Sequence, residues 1–80
     1  MVFFQSVGRE RRLWAVNATD IPRDDMDSDG TPSADWLARE AKRGGRLMSN
    51  DVDVAGDSEA CDVLVGGFRK VGEYRIEVRP

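Results

Sequence analysis

The 80-residue sequence has no histidine and one cysteine, Cys61. Without imidazole there is no histidine acid–base catalysis, no Ser-His or Cys-His nucleophile pair and no ordinary zinc site. A single cysteine allows no internal disulfide, which fits a reducing compartment. Long apolar runs are missing too. Met1 to Ser6 is too brief for a signal peptide, and Arg9, Arg11 and Arg12 follow it rather than precede it. No run approaches the roughly 20 apolar residues of a membrane helix. The expectation is a cytoplasmic chain with no membrane partner, forming one small domain over residues 1–80. A chain this short buries only about 60% of its unfolded surface, so its stability rests on few contacts.

Charge is abundant but segregated. The formal net charge is −3, from 15 acids and 12 bases. Residues 20–35 hold six acids (Asp20, Asp24, Asp25, Asp27, Asp29 and Asp35) against Arg23 alone. Residues 51–62 hold five acids and no base. Two acidic segments therefore sit on an otherwise basic chain, a pattern that bears on partners and steering rather than on fold.

The hydrophobic pattern assigns most of the elements. Val2 to Val7 is β-branched and aromatic, and reads as a strand. Gly8 to Arg11 is a polar turn. Arg12 to Ala18 is a second strand, with Trp14 and Val16 on the face opposite Leu13 and Ala15, which makes an antiparallel hairpin. Residues 19–32 form a long acidic loop. Ser33 is a sound N-cap for a helix from Ala34 to about Arg43, closed by Gly44 as its C′ residue. At 100° per residue, Ala34, Leu37, Ala38 and Ala41 define its apolar arc, and Trp36 points away from it, beside Arg39, Glu40 and Arg43. A short strand is expected at 46–49, with Val52 and Val54 able to extend it.

Residues 58–71 admit two readings. As a helix, Ala60, Cys61, Leu64, Val65, Phe68 and Val71 form one stripe between an Asp57 or Ser58 cap and Gly72. As a hairpin, Gly66-Gly67 is the turn between two short strands. The helix is preferred because its stripe is clean and both end signals are present. It places Cys61 among core residues, as a small buried thiol. Glu73 to Arg79 alternates strictly and reads as the clearest strand. The expected fold is α+β: a small two-layer domain, β-hairpin then α-β-α-β, with a three- or four-stranded, mainly antiparallel sheet and helices on one face.

Asp25, Asp27, Asp29 and Gly30 occupy positions one, three, five and six of a D-x-D-x-D-G pattern. Alternate carboxylates on a tight turn suit calcium, which takes six to eight oxygens. Over about twelve residues the stretch resembles EF-hand and dockerin-type loops. The resemblance implies calcium ligands at Asp25, Asp27 and Asp29. Trp36 stands where a bidentate Glu or Asp belongs, and strand and loop precede the pattern instead of helix. The competing reading is a solvated turn whose aspartates favour the helix N-terminus. Trp36 flanked by Arg39 and Arg43 has the composition of an interface anchor; the competing reading is that it packs under the long loop or against the hairpin, since tryptophan is usually largely buried. Arg9, Arg11 and Arg12 at the hairpin tip are candidates for touching phosphate, although such a tip is more often simply solvated.

No nucleophile–base pair, cofactor loop or strong metal set is visible, so the expected activity is non-enzymatic. The leading expectation is a small binding or inhibitor protein acting by protein–protein contact through Trp36, Arg39, Arg43, Asp24, Asp25, Asp27 and Asp29. Its acidic segments would mimic nucleic-acid charge on a basic partner surface, by analogy with small antagonists from mobile elements. The alternatives are a calcium-binding module and a nucleic-acid-binding accessory protein. Nucleic acid is the less favoured partner because the net charge is negative.

Overall fold

The structure, a computed structural model, describes residues 1–28, 30–48, 50–56, 61–66 and 69–77. In chain order the elements are β1 (Val2–Val7), β2 (Arg12–Val16), α1 (Ala34–Gly44), β3 (Val52–Gly56), β4 (Cys61–Val65) and β5 (Arg69–Ile76). The strands form a five-stranded sheet in the order β2-β1-β5-β4-β3, with every neighbouring pair antiparallel. α1 packs across one face. The α+β, two-layer expectation holds at this level. The sheet has more strands than expected and the structure describes one helix.

The inner face of the sheet follows from register. Val2 lies between Val16 and Ile76, and Phe4 between Trp14 and Tyr74. Phe4 is fully buried, and the Trp14 ring stacks on it with centroids 4.7 Å apart. Strict alternation would then turn Ser6 inward. Instead the β1–β2 register shifts between Phe4 and Val7, with Ser6 at φ 55. This bulge returns Val7 to the buried side, where it completes the core with Val63, Leu37 and Ala41. On the outer face, the Arg75 guanidinium lies 5.1 Å from the centre of the Phe3 ring.

Residues 61–76 are a hairpin, not the preferred helix, across the residues described there. β4 and β5 pair antiparallel, and Gly66 enters the turn at φ 66. Two adjacent glycines cost a helix about 2 kcal/mol relative to alanine. Val63 and Val65 also favour strand. Alternation divides the apolar stripe that suggested a helix: Cys61 and Val63 face inward, and Leu64, opposite Asp53 and Lys70, faces outward. Residues 58–60, 67 and 68 of that proposed helix lie outside the described residues, as do Val78 and Arg79 of the final strand. The expected strand at 46–49 is a turn and coil as far as Met48, and the strand begins at Val52.

α1 begins as expected: the Ser33 Oγ accepts a hydrogen bond from the Trp36 N–H at 3.2 Å. Its buried residues, however, are Trp36, Leu37, Glu40 and Ala41. The inward arc is rotated from the expected one because small alanines contribute little burial, whereas Trp36 contributes a great deal. Gly44 still belongs to the helix; a Cβ there would overlap the Trp14 indole.

Candidate functional site

The structure separates Trp36 from the charged residues grouped with it in sequence and pairs some of those with one another. Trp36 is only 8% exposed, with its ring 6.4 Å from Phe4. It is a core residue, as in the packed reading, which corrects the reading of it as an outward-facing anchor. Arg39 pairs with the Asp25 carboxylate at 2.6 Å and also donates to the Asp35 carbonyl. Arg43 holds Glu40 through two hydrogen bonds, which raises the Arg43 pKa above its ordinary value. The same Glu40 carboxylate accepts from the Trp14 indole N–H at 3.2 Å. Glu40, nearly buried, thus satisfies Trp14 while Arg43 covers it.

The acidic loop is built from backbone hydrogen bonds. Two 3-10 turns, Ala18–Asp20 and Arg23–Asp25, lead to a bridge between Met26 and Pro32. The Asp27 N–H donates to the Thr31 carbonyl at 2.7 Å, and the Asp27 carbonyl accepts from Gly30. Asp24 and Asp27 are exposed, and Asp25 is engaged by Arg39. Asp29 lies outside the described residues. Among the described residues, no group of three or more metal-ligating side chains is placed to hold an ion. None of the helices described is long and apolar enough to cross a membrane.

A different constellation lies at the opposite end of the sheet. Val2 and the loop after Val16 mark one end of β1, and Gly8 marks the other, roughly 20 Å away for a strand of this length. At the Gly8 end three elements meet. The Gly8 N–H donates to the Val71 carbonyl at 2.9 Å, tying the β1–β2 turn to β5. Gly8 has φ 80, and a Cβ there would run into the Gly45 carbonyl, so the turn sits directly on the end of α1. Between turn, helix end and β5 lies a cleft of about 780 Å³.

Arg9, Arg11, Arg46 and Arg69 line this cleft. All four are exposed, and none forms an ion pair with a described residue. The neighbouring Lys70 is neutralised by Glu73 and Asp62, whose hydrogen bonds raise its pKa. Arg12, grouped with Arg9 and Arg11 by sequence, pairs instead with Glu10 at 3.2 Å.

Backbone strain gathers in the same place. Among the described residues, the non-glycine residues with positive φ are Ser6, Arg11 and Arg46, and all three line the cleft. A left-handed conformation costs a residue with a Cβ about 1–2 kcal/mol. Arg11 closes the hairpin turn, where its N–H donates to the Gly8 carbonyl at 3.2 Å. Arg46 follows Gly45, the helix C-cap. The next N–H, of Leu47, donates back to the Lys42 carbonyl at 3.0 Å. That is the Schellman closure, in which the C′ position is usually glycine. The chain therefore places its glycines at 44 and 45 and an arginine where the left-handed turn falls.

Sequence reading found Arg9 and Arg11 but missed Arg46 and Arg69, which join the cleft only through tertiary contacts. The available signal was Gly44-Gly45-Arg46, a helix end with a displaced C′ residue. Comparison with protein-family models, curated proteins and solved structures found no match for this chain.

Proposed function

We propose that this chain is a non-enzymatic binding protein that acts by contact, with the arginine-lined cleft as its recognition surface for an anionic macromolecule. The observation that carries this reading is the convergence of four arginines that form no ion pair with a described residue, two of them on left-handed backbone. Strained conformations persist where the surrounding structure enforces them, and they cluster at functional sites. Guanidinium groups offer planar, paired donors suited to carboxylates and phosphates. The test is retention on immobilised heparin against a salt gradient. The wild type is expected to be retained despite its net charge of −3, and Arg46→Gly with Arg69→Ala to elute earlier. Equal elution of wild type and variant contradicts the reading.

The acidic loop supports a second reading, because Asp20, Asp24 and Asp27 are exposed and form no ion pair with a described residue. In that reading the loop occupies a basic groove on a protein partner. Its anchor is no longer Trp36, and the contact is electrostatic. Retention on immobilised polylysine that is weakened by Asp24→Asn with Asp27→Asn, and not by Asp53→Asn, supports it. Equal retention of both variants opposes it.

A further inference from the structure

We infer that the arginine cleft binds the phosphodiester backbone of nucleic acid, independently of base sequence. This rests on the reading of the cleft as an anion-recognition surface and names its ligand. The four arginines come from three separate segments: the β1–β2 turn, the loop after α1 and the start of β5. They line a cleft of about 780 Å³. A ligand with charges repeated along a chain fits this spread. Among the described residues the lining contains no aromatic side chain. Base readers of single strands rely on stacking platforms. Exposed guanidiniums without such a platform suit backbone oxygens, which carry no sequence information.

The distribution of charge explains how a chain of negative net charge performs this. The acidic loop lies at the far end of β1 from the cleft, and the acids that line the cleft, Glu10 and Glu73, are held by Arg12 and Lys70. A polyanion is attracted at the arginine end and repelled at the loop end. The contact is therefore limited to a few phosphates and fixed in orientation.

Fluorescence anisotropy with labelled oligonucleotides tests the inference. The probes are two 20-base-pair DNA duplexes of unrelated sequence and a polyglutamate peptide, each measured between 50 and 200 mM salt. The two duplexes are expected to bind alike. Engagement of four phosphates gives a slope of log K against log salt of about −3.6, and Arg69→Ala lowers its magnitude by about 0.9. Arg69→Lys, which keeps the charge but not the planar fork, retains most of the slope and loses affinity. Arg23→Ala, at the acidic end, is the folded control and binds no more weakly than wild type. Polyglutamate binding that matches or exceeds duplex binding, and falls in Arg69→Ala, overturns the nucleic-acid assignment while keeping the anion cleft. Absence of binding to every polyanion overturns both. Strong preference for one duplex overturns the backbone mode. Circular dichroism confirms that each variant is folded before its affinity is compared.

Discussion

Arg11 and Arg46 stand on different loops, yet both hold left-handed backbone, at φ 49 and φ 53, and both line the same cleft. Neither has an ion-pair partner among the described residues. At each position glycine would satisfy the local geometry at lower cost. Retention of a charged side chain at both sites links local strain to a shared electrostatic surface.

Gly44 separates propensity from packing. Alanine is favoured over glycine in a helix interior by about 1 kcal/mol. A Cβ at Gly44 would overlap the Trp14 ring, and overpacking costs about 1–3 kcal/mol. Gly44→Ala is therefore expected to lower stability in urea denaturation. In a Trp14→Val background, where the ring is gone, the same change is expected to raise it.

Tyr74 is the only tyrosine, so absorbance near 295 nm reports its ionisation alone. Burial first, then the neighbouring Cys61 and Asp62, push its pKa up to about 12. The unfolded chain releases this proton near pH 10. Between pH 10 and 12 the folded state holds more protons than the unfolded state, so folding stability falls as pH rises through that window. Below pH 10 this contribution is complete. A spectrophotometric midpoint near pH 10 in the native protein would remove the effect. Tyr74→Phe is expected to flatten this part of the melting-temperature profile.

The acidic loop yields a calcium prediction. Asp25, the first position of the D-x-D-x-D-G pattern, is held by Arg39. A cation entering the loop would have to displace that guanidinium. Millimolar calcium is therefore expected to leave tryptophan emission and melting temperature unchanged in the wild type. A calcium-dependent rise in melting temperature that is abolished by Asp25→Asn and Asp27→Asn would restore the metal reading.

The first hairpin, the Ser33 cap and the alternation of Tyr74 with Ile76 were legible because each depends on neighbours in sequence. Trp36 was misplaced because a helical wheel counts four apolar positions equally, while packing weighs a tryptophan far above an alanine. The 61–76 hairpin was underrated because the cost of two glycines was set below a clean stripe. The cleft was half legible. Arg9 and Arg11 adjoin in sequence, but Arg46 and Arg69 reach them only once Gly8 seats against Gly45 and bonds to β5. Ser6 hid its role for the same reason, since nothing local announces a bulge that turns Val7 inward.

The most direct measurement is Arg46→Gly, read for stability and for binding on the same preparation. Glycine relieves the left-handed C′ position and is expected to stabilise the fold by about 1 kcal/mol in urea denaturation. The same variant is expected to bind a DNA duplex several-fold more weakly at 50 mM salt, with a shallower salt dependence. A gain in stability together with a loss of binding supports a strained arginine held for recognition. Unchanged binding in a stabilised variant would contradict it.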